Sequence, residues 1–267
     1  MPDTRLTMKY FFKSSFFSVA AALMPSLGRR ASVLMYHSVS ESPSFLALPP
    51  TLFEKQMAYI ARYRTPIFLS ELVRRIADRE DLSNCVCVTF DDGYADNYTA
   101  AFPILRKYEI PATIFLISDR IGKSFSTSEG CAFDMLTSLQ MRDLHASGLV
   151  EFGSHTRTHR TMPELQPGEM GDEIEGARTD IEGVLGTGIS RLFAYPKGKV
   201  TPTTRSYLHA HRWAAVSTRS GLVGLDSDPV ALPRNGIYRT QPFAEFRASV
   251  TGAADMVQRI KHSLGRA

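Results

Sequence analysis

The chain alternates short β-rich runs with segments of helical spacing, and this alternation limits the fold more than any other feature of its sequence. Apolar and β-branched residues predict strands over residues 32–36, 85–90, 112–117, 150–153, 192–194 and 214–217. Apolar residues at helical spacing predict helices over residues 51–63, 97–108, 138–147 and 168–185. Strands that alternate with helices pair in parallel through helical crossovers. The pattern therefore predicts an α/β fold, either a doubly wound sheet or an incomplete (β/α) barrel.

The sequence indicates one domain with an extension at each end. No internal repeat, low-complexity block or flexible linker divides the 267 residues, so residues 32–250 are interpreted as a single domain. Residues 1–31 are interpreted as an N-terminal helix or a signal-like leader, and residues 251–267 as a C-terminal helical tail. The helix favours a cytoplasmic protein, whereas a cleaved signal over residues 1–28 implies export. No run reaches the ~20 apolar residues that a membrane span needs, so no stable span is expected.

Charge and cysteine content exclude several classes of function. The 31 basic and 27 acidic side chains leave a net charge of +4, and no run of Lys and Arg exceeds two residues. Nucleic acid is therefore not expected as a partner, because its binding needs a clustered basic surface. The three cysteines cannot all pair, and Cys85 and Cys87 share one face of a strand. A disulfide framework and a cysteine-based zinc site are excluded as organising features.

The first candidate site follows the strand over residues 85–90, since folds of parallel strands place their sites at strand carboxyl ends. Asp91 and Asp92 stand there, and Gly93 comes next. Adjacent strand residues point in opposite directions, but a turn at Gly93 can bring both carboxylates into one cleft. One carboxylate could then bind a metal while the other serves as a base. The alternative is an Asx turn or a helix cap without a catalytic role.

Two histidines follow the strand over residues 150–153. His155 and His159 stand four positions apart, the spacing that places two imidazoles on one face of a helical turn. Together with a strand-end aspartate they supply two nitrogens and one oxygen to a metal ion, with open positions for water and substrate. Surface or capping histidines are the alternative, but the combination of the two motifs favours a metal site.

Two further strand ends carry candidate groups. The strand over residues 192–194 runs into a turn over residues 195–198, where backbone N–H groups can face a developing oxyanion. The alternative there is a plain turn after a buried strand. His37 ends the first strand, in the place of a general acid or of a group that supports one. A single histidine of this kind is more often structural.

Three segments resemble, in order and spacing, the polysaccharide deacetylases with a NodB-homology domain (carbohydrate esterase family 4): TFDDG at residues 89–93, SHTRTH at 154–159 and FAYPKG at 193–198. LMYHSV at 34–39 and ALPR at 231–234 also resemble members, chitooligosaccharide deacetylases among them, that act on N-acetylglucosamine polymers or oligomers. The resemblance extends over residues 32–237. It implies a distorted, incomplete (β/α) barrel with a divalent metal at the strand carboxyl ends.

The resemblance also implies a role for each matching residue. Asp91 matches the general base, and Asp92, His155 and His159 match the metal ligands. Lys197 matches the residue whose backbone N–H stabilises the oxyanion. Two nitrogens and one carboxylate suit zinc best, and cobalt, nickel and iron bind similar sets. Zinc is therefore the expected cofactor.

The chain departs from the family pattern in two places. Many members have Arg-Pro-Pro-Tyr-Gly where this chain has AYPKG at residues 194–198, so the arginine that orients the base is missing. We expect the guanidinium of Arg234 to reach Asp91 from a late strand and to make a two-point contact with its carboxylate. Pro233 restricts the backbone just before this arginine. The late Leu-x-His that carries the family's general acid also has no match. In relatives that open with a Tyr-His strand that histidine can fill the acid role, which points to His37.

Together these residues predict a metal-dependent hydrolase that removes N-acetyl groups from N-acetylglucosamine units of an oligo- or polysaccharide and releases acetate. The expected glycan is a chitooligosaccharide, an exopolysaccharide or a similar polymer, and Tyr94 and Tyr195 are expected to contact it. Two alternatives remain open. One is an amidohydrolase of the same fold that acts on a small cyclic amide or imide, and the other is a non-catalytic glycan-binding relative.

Overall fold

The structure, a computed structural model, describes residues 30–126, 132–166 and 168–252. Within these ranges the strands are β1 (Ser32–Tyr36), β2 (Ser38–Val39), β3 (Ala47–Leu48), β4 (Thr65–Pro66), β5 (Cys85–Phe90), β6 (Ala112–Leu116), β7 (Ser124–Ser126), β8 (Ala132–Asp134), β9 (Val150–Ser154), β10 (Leu192–Ala194), β11 (Ala214–Val216) and β12 (Asn235–Gly236). The helices are α1 (Pro50–Tyr63), α2 (Leu69–Ala77), α3 (Phe102–Lys107), α4 (Ser138–Ala146), α5 (Ala177–Leu185), α6 (Pro202–Ala210) and α7 (Phe243–Thr251). Short π-helical turns at Asn97–Ala101 and Asp172–Gly176 lead into α3 and α5.

The expected N-terminal and C-terminal extensions lie outside the described residues, apart from residues 30–31 and 251–252. Cys131 lies outside them as well. The leader, the tail and the cytoplasmic location therefore stay predictions.

The main sheet is built from parallel strands in the order β11, β10, β9, β6, β5, β1 and β12, with β4 paired to the start of β5. Neighbouring strands within it pair in parallel, as the alternating pattern predicts. Helices make the crossovers: α3 joins β5 to β6, α5 joins β9 to β10, and α6 joins β10 to β11. All six residues of β5 are buried, which is typical of a strand covered on both faces.

A short segment links the two edges of this curled sheet. Leu232 forms a parallel bridge with Val216 of β11, and three residues later Asn235 pairs with Leu34 of β1. The link excludes an open doubly wound sheet and leaves a distorted, incomplete (β/α) barrel, so the fold implied by the resemblance is confirmed. Arg234 lies between the two bridges and its side chain is completely buried.

Alternating strand residues separate into two apolar clusters. Leu34 and Val88 pack with the helices outside the sheet, whereas Cys85, Cys87 and Phe115 pack together on the opposite side. The two cysteines share a face and are buried, as their spacing predicts. Among the helices that the structure describes, none is long and apolar enough to cross a bilayer.

Candidate active site

The end of β5 turns sharply and brings two carboxylates to the same side. The backbone N–H of Asp91 still donates to Tyr36 of β1 (3.0 Å), so Asp91 continues the sheet. Asp92 and Gly93 then adopt left-handed backbone conformations (φ 71° and 82°). A Cβ on Gly93 would lie 2.4 Å from Leu116 Cδ2, and the left-handed backbone there also favours glycine. Both aspartates are buried at the carboxyl end of the strand, as predicted.

Asp92 presents one carboxylate oxygen to two histidines. Its Oδ2 accepts a hydrogen bond from the Tyr94 hydroxyl (2.8 Å). Its Oδ1 is buried, has no hydrogen-bond partner, and lies 3.5 Å from Nε2 of both His155 and His159. Ligand atoms of the three residues lie within 4.8 Å of one another. Because a buried carboxylate oxygen is costly without a partner, this cluster fits a divalent cation, and the predicted convergence is confirmed.

The hydrogen bonding of one imidazole and the burial of the other also suit a metal. Nδ1 of His155 lies 2.8 Å from the carbonyl oxygen of Ala194. A carbonyl only accepts, so this contact selects the tautomer with the proton on Nδ1, in which Nε2 is the ligand atom. Burial, reinforced by the neighbouring His155, lowers the pKa of His159 to about 4. His159 is therefore neutral at neutral pH, the form that binds metal.

The two histidines do not lie on a helical turn, so that part of the prediction is wrong. Residues 155–159 form a loop in which Thr156 and His159 have left-handed backbones (φ 62° and 68°). The His159 backbone N–H donates to Oγ1 of Thr156 (2.9 Å), and this contact closes the loop. The left-handed residues, rather than helical spacing, turn both rings toward Asp92.

A buried acid that the sequence analysis did not single out holds this loop. Glu173 is 4% exposed, and its Oε2 accepts the backbone N–H groups of Arg157 (3.0 Å) and Thr158 (3.1 Å). The Arg157 guanidinium in turn binds both carboxylate oxygens of Asp180 on α5 at 2.8 Å. The residues between the two histidines are thus anchored to the next helix. The sequence contains one signal for Glu173, an acidic residue near the start of an apolar helical stripe. Acidic residues are common there in helices that hold no loop, so the signal is weak.

Asp91 is paired with Arg234 in the interior. Nη1 and Nη2 of Arg234 donate to Oδ1 and Oδ2 of Asp91 at 2.6 and 2.7 Å, which confirms the expected two-point contact. The same guanidinium donates to the Ser217 carbonyl (3.1 Å) and to Thr89 Oγ1 (3.1 Å). Burial raises the pKa of Asp91, but the charges and hydrogen bonds around the carboxylate, those of Arg234 foremost, together outweigh burial and hold the pKa below its usual range. Asp91 is therefore ionised at neutral pH.

His37 lies in the loop between β1 and β2, half-buried and close enough to Asp91 for its charge to lower the pKa of that carboxyl. Asn97 Nδ2 donates to the His37 carbonyl (2.8 Å), and Asp96 accepts from the Val39 backbone N–H (3.1 Å). These residues, which the sequence analysis did not select, fix the loop. The role of His37 as an acid stays a prediction.

The expectation that Tyr94 and Tyr195 contact substrate is wrong, because both side chains are 0% exposed. Tyr94 instead bonds to Asp92, and the Tyr195 hydroxyl donates to the Val230 carbonyl (2.8 Å). Lys197 is exposed in the turn after β10 and has a left-handed backbone (φ 53°). Its role as an oxyanion donor stays a prediction.

The fold and the site define a class of protein: a (β/α) barrel with an Asp-His-His cluster suited to a divalent cation and an adjacent ionised aspartate, a combination that suits metal-dependent hydrolysis. The model of the family "Polysaccharide deacetylase" matches residues 78–216. The chain is 30% identical over 205 residues to YxkH of Bacillus subtilis, a protein named for the same family, covering 76% of this chain and 69% of YxkH. The chain belongs to the polysaccharide deacetylase family.

Other comparisons find the same fold in solved structures and a similar segment in a further relative. The deacetylase PplD of Streptococcus pyogenes, solved with acetate, has the same fold (TM-score 0.72, 24% identity, 84% of this chain and 99% of PplD). IcaB from Ammonifex degensii is 28% identical, with a TM-score of 0.70, over 83% of this chain and 96% of IcaB. A poly-β-1,6-N-acetyl-D-glucosamine N-deacetylase of Staphylococcus aureus is 37% identical over 71 residues, 27% of this chain and 23% of that protein.

Replacing Tyr94 by phenylalanine is expected to weaken zinc binding by about 10- to 100-fold, the effect typical of removing a group that orients a metal ligand. The hydroxyl holds Asp92 Oδ2, while the ring would keep its packing against Phe133. Tyr195→Phe is the matched control, because it also loses a buried hydroxyl bond of 2.8 Å but touches no ligand. Competition with a chromophoric chelator measures both affinities. Equal zinc affinities for the two variants would contradict the assignment of Asp92 as a ligand.

Proposed function

We propose that the protein is a metal-dependent N-deacetylase that hydrolyses the acetamide groups of N-acetylglucosamine units in a polysaccharide. The observation that carries this proposal is the unpartnered Oδ1 of Asp92, which faces Nε2 of both His155 and His159 beside the ionised Asp91. Membership of the polysaccharide deacetylase family supports the hydrolytic class.

In this proposal Asp92, His155 and His159 hold the cation, and zinc suits their two nitrogens and one oxygen best. Cobalt, nickel and iron bind similar ligand sets. When bound, such an ion supplies Lewis-acid polarisation of a carbonyl and lowers the pKa of water.

The residues of the chain divide the proton transfers between them. Asp91, ionised and oriented by Arg234, takes a proton from the water that attacks the acetamide carbon. His37, from the neighbouring strand end, gives a proton to the amine nitrogen as the C–N bond breaks. The Lys197 backbone N–H donates to the oxygen that gains negative charge, a contact of about 3–4 kcal/mol in comparable sites. Water and the acetamide are consumed, and acetate and a free amine are formed.

The glycan that we propose is a polymer of β-1,6-linked N-acetylglucosamine. Support comes from the Staphylococcus aureus relatives, whose names state that substrate and whose identity to this chain over the aligned segment is 37%. A β-1,4-linked chitooligosaccharide is the reference substrate against which this preference is measured.

The test is stoichiometric acetate release from defined oligomers. The purified protein is stripped of metal with a chelator, reloaded separately with zinc, cobalt, nickel or iron(II), and given β-1,6- or β-1,4-linked oligomers of equal length. We expect no acetate without metal, one free amine for each acetate with it, and faster release from the β-1,6 series. Acetate release that persists in excess chelator would refute the metal dependence. If the metal-loaded enzyme leaves both glycans intact but opens a small cyclic imide, the proposed substrate class is wrong and cyclic imides replace it.

A further inference from the structure

Two exposed aromatic rings face each other at one place on the surface. Among the residues that the structure describes, the exposed large apolar side chains are Phe45, Tyr63, Leu139 and Tyr238. Phe45 is 52% exposed and Tyr238 38% exposed, and their ring centroids lie 6.2 Å apart at an angle of 36°. Two rings that contact each other and still remain this exposed to water have apolar faces available to a ligand.

The topology places this pair at the rim of the catalytic cleft. Phe45 lies in the loop between β2 and β3, and β2 begins directly after His37. Tyr238 follows β12, and β12 is the parallel neighbour of β1, with Gly236 opposite Met35. Loops that follow parallel neighbours emerge at the same edge of a sheet. The two rings therefore lie at the carboxyl end of the barrel, beside the strand end that carries His37.

The loops beneath the two rings are fixed to each other. Nη1 of Arg239 donates to the Ser42 carbonyl at 2.5 Å, and Nη2 lies 3.7 Å from Oε2 of Glu41. The Tyr238 ring lies over Gly236, where an added Cβ would be 2.5 Å from the tyrosine hydroxyl. An aromatic surface held in this way loses little conformational entropy when a ligand stacks on it.

We infer that Phe45 and Tyr238 form a stacking platform for a sugar ring of the polymer next to the unit that reacts. The inference rests on the proposed function. When one acetamide group of a polymer lies at Asp91, the neighbouring sugar units must extend over the rim of the cleft. Pyranose rings present flat faces of C–H groups, which pack on aromatic rings as other apolar surfaces do. Two rings are also far too small a surface for a stable protein partner, which needs about 800 Å² per side.

The experiment compares a pentamer of the glycan with the shortest oligomer that reacts. For Phe45→Ala and Tyr238→Ala we expect KM for the pentamer to rise about tenfold, or ~1.4 kcal/mol, with kcat unchanged. The constants for the shortest oligomer should stay at the wild-type values, since it does not reach the rim. Tyr238→Phe keeps the ring and should keep the wild-type KM. Tyr63→Ala is the matched control, because Tyr63 is 53% exposed but ends α1, just before β4 and the amino end of β5.

A binding measurement separates failure of the platform from failure of the proposed function. Pentamer affinity is measured by titration calorimetry for each variant, with circular dichroism melting to confirm the fold. Wild-type protein that releases no acetate from any glycan, yet binds the pentamer about tenfold more tightly than Phe45→Ala does, would refute the deacetylase but support the platform. Variants that keep both the wild-type KM and the wild-type pentamer affinity would overturn the platform.

Discussion

Replacing Asp91 by asparagine is expected to slow acetate release by about 10²–10⁴-fold while the protein keeps its metal ion. The asparagine side chain has nearly the same size, but its amide cannot take a proton from the attacking water. Asp91 is also separate from the ligand cluster: its two oxygens bind Arg234, whereas Oδ1 of Asp92 faces the histidines. Removing the base therefore leaves the three ligand atoms in place.

Two measurements are needed to assign the loss to the base. Single-turnover acetate release reports the chemical step, and elemental analysis of the protein after gel filtration reports the bound metal. Asp92→Asn is the matched control, because it makes the same chemical change at the next residue and is expected to lose metal as well as activity. If the Asp91→Asn protein loses its metal while its residual rate of acetate release is unchanged, the roles assigned to Asp91 and Asp92 are interchanged.

The longer strands of the barrel were predictable from sequence because they are rich in apolar and β-branched residues. The predicted strand over residues 85–90 coincides with β5, and that over 192–194 with β10. The two-residue strands were not predictable, since β12 consists of Asn235 and Gly236, which are typical of turns, and only pairing with β1 makes them a strand. Helix α2 was omitted although Leu69, Leu72 and Ile76 show helical spacing.

The site could be predicted where residue type and strand-end position decide the outcome. Asp91, Asp92 and the two histidines meet because parallel strands end at one edge of the sheet. The local backbone was not predictable, because Thr156 and His159 adopt left-handed conformations that residues other than glycine rarely take. The same holds for Glu173, whose role depends on the loop that it meets.

The contact of Arg234 with Asp91 illustrates both sides of this limit. The motif at residues 194–198 lacks the arginine that orients the base in many relatives. The sequence therefore predicts that another cation contacts Asp91. The route by which the cation arrives is a property of the fold, since Arg234 lies in the segment that links β11 to β1. Arg234, 143 positions from Asp91, therefore supplies a cation that the family pattern would place in the motif at residues 194–198.

Replacing Arg234 by methionine is expected to lower the free energy of unfolding by about 3–5 kcal/mol, the usual cost of leaving one charge of a buried pair without its partner. Both side chains are buried, at 0% and 3% exposure, so water cannot replace the lost hydrogen bonds. Denaturant unfolding of the metal-free protein measures the loss without a contribution from metal binding. Arg160→Met is the control: its salt bridge to Glu169 is exposed, and such pairs contribute about 0–1 kcal/mol.

A second variant shows whether the loss comes from the unpaired carboxylate or from the missing side chain volume. Combining Arg234→Met with Asp91→Leu removes both charges and fills the site with apolar atoms of similar volume. Replacing a whole buried pair in this way is often neutral or stabilising. The double variant is therefore expected to regain most of the stability, and a double variant as unstable as Arg234→Met alone would contradict an electrostatic origin.

The pH dependence of this loss has a definite sign. Arg234 holds the pKa of Asp91 in the folded protein below its value in the unfolded chain, about 3.9. The pair therefore stabilises the fold fully above that pH, and the contribution disappears as the pH falls through the lower, folded pKa. The unfolded chain is common to both proteins, so the difference between wild type and Arg234→Met should be largest near neutral pH. It should shrink as the pH falls from the pKa of Asp91 in the variant to its lower pKa in the wild type. In the variant, burial without a cation raises the pKa of Asp91, so the acidic limb of the activity profile should move to higher pH. A stability difference that is independent of pH, together with an unchanged acidic limb, would mean that Arg234 supports the barrel by packing alone.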